Sequence, residues 1–104
     1  MLSNAEADKV RSELSRIQTE IEEIEREIKK ADYEIAHVRD EIGEEKDILC
    51  SKGENQAFYS AVSHSITRLE WELSKHYAAR TELTAELKTL RKRRDTLHSK
   101  LEDG

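Results

Sequence analysis

Residues 10–42 read VRSELSRIQTEIEEIEREIKKADYEIAHVRDEI. Within this run Val10, Leu14, Ile17, Ile21, Ile24, Ile28, Ala31, Ile35, Val38 and Ile42 recur at alternating steps of four and three. An apolar side chain returning every ~3.5 positions keeps to one side of an α-helix and to neither face of a strand, so the run is a heptad seam. With Leu14, Ile21, Ile28, Ile35 and Ile42 at a, the d positions are Ile17, Ile24, Ala31, Val38 and then Glu45. The seam is therefore expected to weaken past Ile42.

Upstream, Ser3 and Glu6 have the spacing of a capping box, with Leu2 and Ala7 placed as a weak hydrophobic staple, which predicts a helix over residues 3–50. Gly43 falls on the outer side of that helix at a cost of about 1 kcal/mol relative to Ala. The sequence leaves open whether the helix passes straight through it, bends there or ends there.

Downstream, residues 50–55 read CSKGEN and break the apolar rhythm. Gly53 suits a helix C-cap and Ser51 or Asn55 an N-cap, so a reversal is predicted over 50–55. The rhythm resumes through Tyr59, Val62, Ile66, Leu69, Leu73, His76, Arg80, Leu83, Leu87, Leu90, Arg94, Leu97 and Leu101, predicting a second helix over 55–102. Two long helices joined by a short turn must run antiparallel. The fold class expected is all-α: an antiparallel two-helix coiled-coil hairpin, open to completion as a four-helix bundle by another copy or a partner. A turn near Lys52 sets Ile42 opposite Val62, Ile35 opposite Leu69, Ile21 opposite Leu83 and Ile17 opposite Leu87.

Charge agrees with this pairing. The arm through Cys50 holds 15 acidic and 8 basic residues, and the remainder 8 acidic and 10 basic, so the arms attract each other. Parallel self-pairing of the first helix competes, but it would set Glu20 near Glu25 and Glu27 near Asp32, against favourable Glu34 with Arg39 and Glu41 with Lys46. In outline the plan resembles the small helical hairpins of bacterial secretion systems. Their Trp-x-Gly turn is replaced here by Ser51-Lys52-Gly53, so the likeness is one of shape.

Composition supports a thin core, because 39% of the 104 residues are charged and 36% hydrophobic. Proline is absent and glycine occurs three times, so long helices meet few breakers. The formal charge of −5 is modest, and its interleaving argues for neither nucleic acid nor membrane. No run is apolar enough to span a bilayer. Cys50 is the single cysteine, which excludes an intramolecular disulfide and points to a reducing, cytoplasmic setting.

No catalytic arrangement emerges. His37, His64 and His98 have no second histidine or cysteine three or four residues on, and neither a phosphate loop nor a nucleophile triad is present, so no enzyme, metal or cofactor is expected. Four features remain. His76 and Arg80 interrupt the second seam at consecutive positions, beside Ile28, Ile24, Glu25 and Glu27 of the first helix, and read as a register-setting polar layer. Glu13, Glu20, Glu27, Glu34 and Glu41 fill five successive g positions, mostly facing Ser65, Glu72, Ala79 or Glu86, and form an acidic edge. Lys88, Arg91, Lys92, Arg93 and Arg94 form the basic cluster of a nucleic-acid reading, weakened because they point around the helix, lack interleaved aromatics and would bring Arg93 near Glu13.

The fourth feature is the back of the second helix. His64, Thr67, Trp71, Ser74, Ala78, Thr81 and Ala85 recur at steps of four and three, a second seam of small residues around one tryptophan. Small side chains allow close helix approach and Trp supplies an anchor. The bland alternative is filler on a solvated face. The function expected is thus binding of another helical surface, by an adaptor, assembly subunit or small chaperone, with Trp71, Ser74, Ala78, Thr81, Ala85, Glu20, Glu27 and Glu34 as contacts. The partner is a helical protein or another copy. The rivals are a nucleic-acid-binding hairpin using residues 88–94 and a purely structural self-assembling rod.

Overall fold

The computed structural model describes residues 2–52 and 56–103, with side chains described for 2–50 and 57–103. The chain is an all-α antiparallel helical hairpin of α1 (Asn4–Lys52) and α2 (Gln56–Asp103), with no strand among the described residues. The start of α1 is fixed locally. The Ser3 hydroxyl oxygen accepts the Glu6 backbone N–H at 3.2 Å and donates to Glu6 Oε1 at 3.1 Å, occupying donors that the first helical turn leaves unpaired.

Helix α1 runs through Gly43 and past Cys50 to Lys52. Cys50, Ser51 and Lys52, expected in the turn, are helical, whereas Gly53, Glu54 and Asn55 lie outside the described residues. Gly43 neither ends the helix nor adopts a positive φ, and a Cβ added there would meet nothing within 4 Å. Gly43→Ala should therefore act only through chain entropy and helix propensity. We expect a gain of about 1 kcal/mol, read from urea unfolding followed by circular dichroism.

The chain divides into two compact units, one of Met1–Lys29 with Glu82–Gly104 and the other of Lys30–Thr81. In the first, Ile17, Ile21, Ile24, Leu87 and Leu97 are buried, with Val10, Leu14, Ile28, Leu83 and Leu90 packed against them. Ile21 and Ile17, set opposite Leu83 and Leu87 by the heptad register, share this one cluster. In the second unit Val38, Ile42, Val62, Ile66 and Leu69 form the core, flanked by Leu49, Phe58 and Leu73. Ile42 and Val62 share that cluster, and Ile35 is also buried.

One seam assignment is corrected. Tyr59 is 52% exposed, and Phe58 takes its place against the core. The chain thus reaches Val62 from Phe58 by a step of four where the strict rhythm has three. Phe carries no hydroxyl that must keep a polar partner, so it is the less costly of the two rings to pack inward. Leu49 joins the same core one heptad beyond Ile42, so the seam persists past the half-buried Glu45.

Candidate interaction surface

Helix α2 has an inner side that buries Val62, Ile66 and Leu69, so its 3.6-residue turn sends residues midway between them outward. Trp71 is one of these, at 64% exposed. The Lys75 ammonium lies 5.2 Å from its ring centroid, a cation–π contact that leaves most of the indole in water. Ser74, Ala78 and Thr81 follow on the same side of α2 and are exposed, as are His64 and Thr67 before them. Ala85 is exposed too and belongs to the first unit. The Thr67 hydroxyl donates to the Ser63 carbonyl at 3.0 Å and that of Thr81 to the Tyr77 carbonyl at 2.9 Å. Both hydroxyl protons are thereby spent inside the helix.

Among the described residues, the large apolar side chains that stand exposed, Tyr33, Ile48, Tyr59, Trp71 and Tyr77, all belong to the second unit. On α1, Tyr33 stacks on His37 with ring centroids 6.3 Å apart and planes 2° from parallel. His37 Nε2 in turn lies 2.9 Å from Glu41 Oε1. A single stray aromatic on a surface is ordinary, but five such groups confined to one unit are a stronger sign of a binding region.

His76 and Arg80 each lie against a carboxylate. Arg80 Nε donates to Asp32 Oδ1 on α1. Glu25 lies 3.6 Å from Arg91. The half-buried His76 is 3.7 Å from Glu72 on its own helix. Asp32 is an e-position residue beside the seam, the side to which a seam arginine can lift its guanidinium while its stem stays packed.

The acidic edge is heterogeneous. Glu13 accepts Arg93 Nε at 3.1 Å, and Arg93 Nη2 reaches the same oxygen. The Arg93 hydrogen bond holds the Glu13 carboxyl below its ordinary 4.5, outweighing the opposing effect of desolvation, with the charges of Arg93, Arg16 and Lys100 adding to the lowering. Glu20 and Glu27 line a shallow acidic concavity with Glu23, Glu86 and Ile24. Glu20, Glu27 and Glu34 make no ion pair among the described residues.

A depressed folded-state pKa stabilises the fold above the ordinary carboxylate value, and that contribution is lost as pH falls through the depressed one. Melting temperature followed from neutrality down through 4.5 should therefore fall more steeply for the wild type than for Arg93→Gln. The two curves should converge at the acid end.

Of the basic cluster, Arg91, Arg93 and Arg94 lie against Glu25, Glu13 and Asp95, the last at 3.4 Å. These local carboxylates neutralise much of what a phosphate backbone would need. Cys50 is exposed with a free thiol. Among the described residues no group of three or more His, Cys, Asp and Glu side chains is placed to hold a metal, and no helix is long and apolar enough to cross a membrane. No protein-family model, curated protein or solved structure matches the chain.

Proposed function

We propose that this chain is a non-enzymatic interaction module: an adaptor, assembly subunit or small helical chaperone of the cytoplasm that docks another helical surface on the outer side of α2. The observation that carries this reading is Trp71, 64% exposed on a helix whose apolar packing is met elsewhere. An exposed indole among small neighbours is what a well-packed interface buries at its centre. The exposed apolar side chains of the second unit support a contact on that unit, and the free thiol of Cys50 suits a reducing setting. The acidic residues Glu20, Glu27 and Glu34 serve as secondary contacts for a basic partner helix.

Trp71 is the only tryptophan, so fluorescence reports this position alone. The immobilised hairpin should retain a helical protein from an extract of its native cell that Trp71→Ala, equally helical by circular dichroism, does not retain. Adding that purified protein to the hairpin should shift the Trp71 emission to the blue and protect it from iodide. Retention indifferent to the substitution, or an indole that stays quenchable in the complex, would overturn the proposal.

A further inference from the structure

Gly43 weakens α1 as a helix, and nothing in the chain makes use of it. Its φ is not positive and a Cβ added there would meet nothing within 4 Å, so an ordinary side chain would suit the hairpin better. What a glycine on the outer side of a helix does permit is close approach by a large group from another molecule. Trp71 is such a group, 64% exposed on the outer side of α2. We infer that the occupant of the Trp71 face is the outer side of α1 in a second copy of the chain, with the indole seated over the second copy's Gly43. This deepens the reading above and rests on it.

Charge selects the same two surfaces, both within the second unit. Lettered as the seam is, the outer side of each helix is its b, c and f positions. In this unit the outer side of α2 carries Arg68 and Lys75 around Trp71 and no carboxylate, whereas that of α1 carries Asp40 and Glu44 around Gly43 and no lysine or arginine. These four charged side chains are exposed and make no ion pair among the described residues. Opposite fields of this kind draw two surfaces together.

Register can then be worked out within the unit. Antiparallel packing sets f positions against b positions, as it sets a against d in the seam. With Trp71 on the second copy's Gly43, Ala78 meets its Ala36 and Thr81 its Tyr33. On one flank Arg68 faces the second copy's Glu44. On the other Glu70 faces its Lys46, and Tyr77 faces its Arg39 in a cation–π contact. Lys75, which lies by the indole, comes level with the second copy's His37, whose Nε2 is turned to Glu41. Three of the five exposed large apolar groups, Tyr33, Trp71 and Tyr77, thus enter one contact.

Other registers lose contacts. A slip of one heptad that puts Trp71 on the second copy's Ala36 keeps Glu70 opposite an arginine, Arg39, but sets Lys75 against Lys30 and moves Arg68 off Glu44. The opposite slip keeps Lys75 facing Glu44 but carries Trp71 to Cys50 and takes Arg68 and Glu70 from their counter-charges. In parallel packing like rows meet, so Trp71 would face Tyr33, Asp40 or Asp47 and never the glycine. Because the two sides lie on different helices, the contact is heterologous, and each copy keeps a side of each kind for further copies. Assembly does not stop at a dimer.

The test is sedimentation equilibrium of the purified chain over a concentration series, with iodide quenching of its tryptophan on the same samples. The wild-type mass should rise from one hairpin at high dilution past that of a dimer, and the rise should protect Trp71. Gly43→Leu, which fills the seat, and Trp71→Ala, which removes the indole, should each stay single hairpins as helical by circular dichroism as the wild type. An equimolar mixture of the two should form a one-to-one pair, because each retains the side that the other lacks, and the tryptophan of Gly43→Leu should become protected. Arg68→Glu and Glu44→Arg should each weaken wild-type assembly about fivefold, and the two together should recover the constant to within about twofold.

A wild-type chain that stays a single hairpin at every concentration would overturn the second-copy inference and leave the Trp71 face to the partner test above. Assembly that survives Trp71→Ala would overturn it as well, since copies would then meet on another surface. Assembly lost in Trp71→Ala but kept in Gly43→Leu would overturn α1 as the occupant while leaving Trp71 in the contact. Charge exchange that fails to restore assembly would overturn the register.

Discussion

Ile21→Ala should cost the hairpin about 3 kcal/mol and lower Tm by roughly 15 °C. Ile21 is 1% exposed, at the centre of the cluster formed by Ile17, Ile24, Leu87 and Leu97. Two effects set the magnitude. Removing three buried carbons forfeits about 0.8 kcal/mol for each CH2-sized group, and the hole adds a cavity cost because long helices cannot close locally around one missing side chain. Ala is the better helix former by a few tenths of a kcal/mol, a small offset. Ile48→Ala is the control: Ile48 is 41% exposed, and the same chemical change there should cost under about 1 kcal/mol. Urea unfolding of both variants checks the contrast. Equal losses at the two positions would mean that the heptad seam is not what holds α1 and α2 together.

That contrast also shows what the sequence could convey. A buried row with heptad spacing is legible because helix geometry forces it to one side, and Ile17 to Ile42 on α1 and Val62 to Leu97 on α2 follow it closely. The reading failed where the row ends. A straight helix turns ~20° per heptad relative to a 3.5-residue repeat, so near a terminus a neighbouring residue can roll into the core. Phe58 does so at the start of α2 in place of Tyr59. Leu49 extends the core because a single Glu45 interrupts the row without ending it.

Arg80 was recognisable as a seam interruption, but its partner was not. An arginine reaches several carboxylates, and which one it takes depends on how its stem packs, which no spacing rule encodes. The outer side of α2 was visible as a pattern of small residues around Trp71. What the pattern could not show was that the other exposed aromatics, Tyr33, Tyr59 and Tyr77, belong to the same compact unit. Nor does spacing reveal that Thr67 and Thr81 turn their hydroxyls back onto their own helix.

Replacing the polar layer by His76→Leu with Arg80→Leu should raise stability by about 2 kcal/mol and Tm by roughly 10 °C. What is lost is modest. Arg80 and Asp32 have side chains 43% and 51% exposed, and exposed pairs contribute at most about 1 kcal/mol. The His76–Glu72 contact, at 3.7 Å within one helix, is weaker still. What is gained is two leucines at seam positions, each burying part of the roughly 1.5–3 kcal/mol that a fully covered side chain supplies. Asp32 would then be released into water, not stranded, so no buried unpaired charge offsets the gain.

A register-setting role for this layer predicts a second effect, on selectivity. A slipped or parallel pairing would deprive Arg80 of Asp32, whereas an all-leucine seam would accept such pairings with little penalty. The double variant should therefore melt higher while populating more than one oligomeric species in sedimentation. Because both substitutions lie on the side of α2 facing α1, Trp71 quenching in the hairpin form should be unchanged. A variant that is less stable than the wild type would show that the Arg80–Asp32 contact joins the two helices more strongly than an apolar layer can.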